Sequence, residues 1–107
     1  MKTFEEYESL AVKTPLSLRN DRDRINMPVW GLQEEAGKIG ALLSRAFASG
    51  KLKLTQEQTI ELQDRLSDTL WYIALLCSET SIAMQDVATQ SIAKLEARTK
   101  ALDRDQR

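Results

Sequence analysis

The run Glu61-Leu62-Gln63-Asp64-Arg65-Leu66-Ser67-Asp68-Thr69-Leu70-Trp71-Tyr72-Ile73-Ala74-Leu75-Leu76-Cys77 decides how this chain folds. Its first half has the period of a helix. At about 100° per residue, Leu62, Leu66 and Leu70 share one face, while Glu61, Asp64 and Asp68 fall within about 60° of one another on the opposite one. Its second half, from Leu70 to Cys77, is apolar all round. A helix apolar on every side is buried on every side. A chain of 107 residues has few helices with which to surround a central one, so a second subunit is expected. Tyr72 and Leu75 continue the acidic face, so a line of carboxylates runs into a buried stripe. A carboxylate at such a boundary is costly without a cation or a hydrogen-bond partner.

Working outward, Thr55 with Gln58 forms a capping box that starts this helix, which is expected to run to about Glu79. Thr80-Ser81-Ile82 breaks the pattern. A further helix spans roughly Met84 to Ala101, with Val87, Ala88, Ile92, Ala93 and Leu95 spaced for packing, and Asp103 to Arg107 read as a frayed tail. Upstream, Pro28 opens a long helix to about Ser49, carrying Leu32, Ile39, Leu42 and Leu43. Gly50 stops it, and Lys51-Leu52-Lys53-Leu54 is the turn. Thr3 with Glu6 is another capping box, starting a helix to Lys13 that Pro15 ends. The charged stretch Arg19 to Arg24 lacks an apolar stripe and reads as a loop or short helical connection. Four glycines, two prolines and weak strand alternation make the chain all-α. Residues 1–107 form a single domain.

Composition excludes several functions. The 15 basic and 16 acidic side chains give a net charge of −1, without the basic face that a nucleic-acid polymer requires. Histidine is absent, which removes the commonest general acid/base and transition-metal ligand. Cys77 is the lone cysteine, so neither a disulfide within the chain nor a cysteine-rich zinc site can form. It sits in an apolar run and reads as a buried, inert thiol. The opening Met1-Lys2-Thr3-Phe4-Glu5-Glu6 lacks the apolar core of a signal peptide. No run approaches the length of a membrane span. The expected location is the cytoplasm.

The chemistry lies in the acids. Glu35 shares a face with Ile39 and Leu42 and points towards the core, whereas Glu34, about 100° away, is solvated. Inward carboxylates on neighbouring helices suit a hard divalent cation, with magnesium keeping waters and substrate phosphates as its other ligands. Glu35, Asp68, Asp64 and Glu61 are the candidate ligands. The competing reading is an ion-pair network, since Lys38 lies one turn from Glu34 and Glu35, and Arg65 one turn from Glu61. Trp71 and Tyr72 are core or interface aromatics, with a base-stacking wall as the alternative.

Four segments, in order, resemble the MazG-like nucleoside triphosphate pyrophosphohydrolases. Phe4-Glu5-Glu6-Tyr7 with Leu10 to Thr14 is similar to that family's first helix. Gly31-Leu32 with Glu35-Ala36-Gly37 resembles its first metal-binding signature. Leu66-Ser67-Asp68-Thr69-Leu70-Trp71-Tyr72 resembles the second, and Ser91-Ile92-Ala93-Lys94-Leu95 with Arg98 the closing one. The resemblance implies a four-helix bundle assembled from helices of two subunits, as a homodimer or tetramer. It implies hydrolysis of a nucleoside triphosphate to monophosphate and pyrophosphate, with magnesium (or manganese) held by acids. Glu35 and Asp68 stand at catalytic metal-binding positions, Lys94 and Arg98 at phosphate-contacting ones, and Trp71 and Tyr72 beside the substrate. The chain departs from the pattern where Lys38 and Arg65 replace two acidic ligands and Ser91 replaces an asparagine. Two exchanges of acid for base change the local charge by about four units, which opposes a metal cluster. Two functions follow: a pyrophosphohydrolase whose activity is weak or lost, with Glu61-Leu62-Gln63-Asp64 as a ligand pair shifted by one turn, or an inactive relative serving as a nucleotide-binding or regulatory helical oligomer. A structural oligomer without ligand is the third.

Overall fold

The computed structural model describes residues 3–13, 21–50 and 53–105. Among them are four helices and no strand: α1 (Phe4–Lys13), α2 (Asp21–Phe47), α3 (Gln56–Glu79) and α4 (Met84–Asp105). The expected all-α class is what the chain adopts. Both capping boxes are formed. Thr3 and Glu6 exchange bonds at 3.1 Å in each direction, and Thr55 and Gln58 do so at 2.9 and 3.1 Å. Gly50 lies beyond the end of α2 at φ 81° and donates its N–H to Phe47 O, a left-handed stop that glycine makes without steric cost. The break between α3 and α4 contains Ser81 at φ 58°.

α2 packs along α3. α1 lies against α3 and the start of α4, and α2 touches neither α1 nor α4 among the described residues. The core sits where α1, α3 and α4 meet: Ala11, Ala74, Cys77 and Met84 are buried there, with Tyr7, Leu70, Trp71 and Ile73 packed around them. The corner is tied by polar contacts. Glu8 Oε2 accepts from the N–H of Met84, the first residue of α4, at 3.1 Å. Trp71 Nε1–H donates to Ala11 O at 3.4 Å. Glu8 therefore serves as an N-terminal cap for a helix 76 residues further on.

Three expectations are corrected. α2 begins at Asp21, so Pro28 lies inside it and opens nothing. The prolyl ring costs a helical hydrogen bond, but it is fully buried, which offsets that loss. The part of the Arg19–Arg24 stretch that is described, from Asp21 on, is helical. α4 continues to Asp105, through the start of the expected frayed tail. Within one chain the apolar second half of α3 is partly enclosed, with Ala74, Leu75 and Cys77 buried and Leu70, Trp71, Tyr72, Ile73 and Leu76 half-buried. Of the leucine face, Leu66 is 52% exposed, whereas Leu62 is half-buried and Leu70 packs against the core. Pro15, Lys51, Leu52 and the last two residues of the tail, each of which carries an expectation, lie outside the described residues.

The molecule is long for its size. Its radius of gyration is 17.4 Å, against about 13 Å for a compact domain of this length. The far part of α4 stands away from the core. Met84 is buried and Ala88 half-buried, but from Thr89 to Asp105 every residue is exposed. Ala88, Ile92, Leu95, Thr99 and Leu102 follow a four-three spacing on one face, the repeat of a helix that packs lengthwise on another.

Candidate functional site

Glu35 and Arg65 define the site. The helical period points Glu35 from α2 towards α3, and the contact is close because Gly31, one turn earlier, has no side chain. A Cβ at Gly31 would stand 2.5 Å from Cε1 and Cζ of Tyr72. The Tyr72 ring thus lies close against the α2 backbone, and Glu35 is only 5% exposed.

The Glu35 carboxylate lies between two cations. Its Oε1 is 3.6 Å from Arg65 Nη1 and 3.9 Å from Lys38 Nζ, while Lys38 is 3.0 Å from Glu34 Oε1. Glu34 is solvated, as its position on the helix wheel requires. The Glu35 distances exceed those of a charge-assisted hydrogen bond, about 2.7–2.9 Å, so the attraction is Coulombic. Glu35 Oε2 and Arg65 Nε are both buried without a hydrogen-bond partner. One is an acceptor and the other a donor, in a single cross-helix ion pair. Buried polar atoms left unpaired cost about 1–3 kcal/mol each and call for a functional explanation.

Asp68 lies on the other flank of α3. It is half-buried and has no ion-pair or hydrogen-bond partner among the described residues. Its charge reaches two tyrosines. Burial raises the Tyr72 pKa above its ordinary value, and Glu35, Asp68 and Glu34 raise it further, against Lys38. Burial, then Asp68, raises that of Tyr7. Trp71 is tilted against Tyr72, with ring centroids 5.2 Å apart. Tyr7, Leu10, Ala11, Ser67, Asp68 and Trp71 line an open groove of about 390 Å³ between α1 and α3.

The remaining candidates stand apart. Glu61 and Asp64 are exposed on α3 and Ser91 is exposed on α4. Lys94 and Arg98 project from the exposed part of α4, a helix that does not touch α2. Arg65 pairs with Glu35 across helices, where the sequence placed it beside Glu61. Among the described residues no three of Asp, Glu, Cys and His stand together in a way that could hold a metal ion. The donor set of one chain therefore does not fit the magnesium that the resemblance implies: Glu35 is already paired with cations, and the acids one turn along α3 are not gathered with it. Among the described residues no helix is long and apolar enough to cross a membrane.

No family model matches the chain, and no solved structure matches it. It is similar to the Gene 37 protein of Mycobacterium phage L5, with 31% identity over 68 residues, 64% of this chain and 60% of that protein. The chain thus spans less than two thirds of the length of the relative it matches.

Proposed function

We propose that this chain is a relative of the MazG-like nucleotide pyrophosphohydrolases that binds a nucleoside triphosphate and hydrolyses it slowly or not at all. The observation that carries the reading is the buried Glu35–Arg65 pair, with an acceptor and a donor both unsatisfied. A nucleotide offers what each lacks once the two side chains turn outward: a sugar hydroxyl donates to Glu35 Oε2, and a phosphate oxygen accepts from Arg65 Nε. Lys38, partly exposed beside them, supplies further positive charge. Phosphate is then held by side-chain cations, and the metal that would activate water has no gathered set of acids to hold it.

The assembly belongs to the same proposal. Leu66 on α3 and Ile92, Leu95 and Leu102 on α4 are each more than half exposed, and a homodimer or tetramer buries them. Lys94 and Arg98, remote from Glu35 within one chain, then approach the site from a second copy.

The test is pyrophosphate release from a panel of nucleoside triphosphates, with and without magnesium or manganese, beside calorimetric binding in EDTA. Binding without metal and little or no release is the expected result. A second reading is a metal site moved one turn along α3, favoured by the exposed Glu61 and Asp64 on the Asp68 side. Strong magnesium-dependent turnover, abolished by Asp64→Asn or Glu61→Gln, establishes that reading instead.

A further inference from the structure

The groove between α1 and α3 has a chemistry distinct from that of the Glu35–Arg65 pair. Two aromatic side chains, Tyr7 and Trp71, contribute to its walls with Leu10 and Ala11, and its described polar groups include Asp68 and the hydroxyls of Ser67 and Tyr7. No cation is among its described lining residues. Asp68 is half-buried there without any donor to its carboxylate among the described residues. An ionised carboxylate is an acceptor only. A flat π-system fits beside the aromatic walls, and a donor on its edge meets Asp68. The volume, about 390 Å³, lies at the small end of ligand clefts.

We propose that this groove binds a nucleobase and selects one whose edge carries an exocyclic amino group. The inference rests on the nucleotide reading above and names the part of the ligand that reading leaves open. Asp68 accepts from the amino group, and Trp71 and Tyr7 supply apolar contact to the ring. A base that presents a carbonyl at that place sets oxygen against carboxylate, with both lone pairs unsatisfied. Such a mismatch discriminates strongly, because a polar group left unpaired in a site costs more than a missing methyl. The two sites are close enough for one ligand. Arg65 and Asp68 lie three residues apart on α3, about 4.5 Å along its axis and about 60° around it. Phosphates at Arg65 thus leave the base near Asp68.

The experiment is nuclear magnetic resonance titration of the full chain with cytidine and with uridine, which differ by amino against carbonyl at one ring position. The Trp71 indole N–H and the Ser67 and Asp68 amides are the reporters, and the indole of Trp30, exposed on α2, is the internal control. Cytidine is expected to shift the reporters with at least about tenfold tighter affinity than uridine, leaving Trp30 unmoved. Asp68→Asn, which replaces one of the two acceptor oxygens by an amide donor and removes the charge, is expected to reduce or abolish that preference while the spectrum stays dispersed. Equal affinity for the two nucleosides overturns the proposal, as does an unchanged preference in Asp68→Asn. So do reporters that shift with protein concentration alone, which would assign the groove to a second copy of the chain. Inorganic tripolyphosphate titrated separately reads the Lys38–Arg65 side. Nucleoside binding without tripolyphosphate binding would end the phosphate reading and keep the groove, and the reverse would do the opposite.

Discussion

At the residue scale the site turns on substitutions of opposite character. Gly31 is required by contact. Gly31→Ala places a methyl into the Tyr72 ring and is expected to destabilise by about 1–3 kcal/mol, net of the better helix propensity of alanine. A urea midpoint measures it. Gly37 and Gly40, by contrast, have open space where a Cβ would go, so Gly40→Ala should stabilise α2 by about 0.5–1 kcal/mol. Lys38→Glu with Arg65→Glu leaves the Glu35 carboxylate buried among like charges. In EDTA this variant should lose about 3 kcal/mol or more, and magnesium should restore part of it as a rise in melting temperature. An unmoved melting temperature on adding magnesium shows that four acids at these positions do not suffice. The raised tyrosines add a pH dependence. In the unfolded chain Tyr7 and Tyr72 ionise near pH 10, whereas in the fold they do so higher. Their contribution is therefore complete below pH 10 and is lost as pH rises through the folded values. Urea midpoints at pH 8 and pH 11 will show the fall, and Asp68→Asn will lessen it.

At the element scale, helix type was legible and helix surroundings were only partly so. The capping residues Thr3, Glu6, Thr55 and Gln58 act within one turn, so the sequence contains all the information they need. Gly50 is legible for the same reason. Pro28 was misread because proline at a helix start is favoured locally, while its fully buried ring inside α2 depends on packing that no local rule contains. The covering of the leucine side of α3 was not legible either: Leu70 packs against the core, while Leu66, one turn earlier, is exposed. Glu35 was placed inward correctly because Ile39 and Leu42 flank it on the wheel. That it meets a cation was legible in the ion-pair reading, but not that Arg65 is the one across the helices: Glu61 lies one turn from Arg65 in sequence, whereas Glu35 reaches Arg65 only once α2 and α3 are aligned. The capping contact of α4 is of the same long-range kind. Glu8→Ala removes the acceptor for Met84 N–H and is expected to cost about 0.5–2 kcal/mol. Greater exposure of the α4 amides to hydrogen exchange will reveal it first.

At the scale of the whole molecule, the radius of gyration and the bare apolar face of α4 belong together. A single chain leaves Ile92, Leu95 and Leu102 more than half exposed, and each leucine or isoleucine fully buried is worth about 1.5–3 kcal/mol. Sedimentation at micromolar concentration should therefore find more than one chain per particle. Leu95→Glu with Leu102→Glu should yield monomers whose core, centred on Ala74 and Cys77, is intact. Cys77 gives an independent reading of that core. Burial, and then the nearby Glu8, raises its thiol pKa, so its reaction with a disulfide reagent at neutral pH should be slow in both forms.

The bond from Met84 N–H to Glu8 joins positions 76 residues apart, and that separation sets an order of events in time. α2 and α3 are neighbours in sequence and can close on each other early, as nearby contacts do. α1, although it precedes them in the chain, must wait for α3 and for the first turn of α4 before its corner exists. Its docking falls late on the folding route, and interactions formed late leave the folding rate nearly untouched while setting the rate of unfolding. Stopped-flow measurements on Glu8→Ala should accordingly show a faster unfolding limb beside an unchanged refolding limb, whereas Gly31→Ala, at the early α2–α3 contact, should slow refolding.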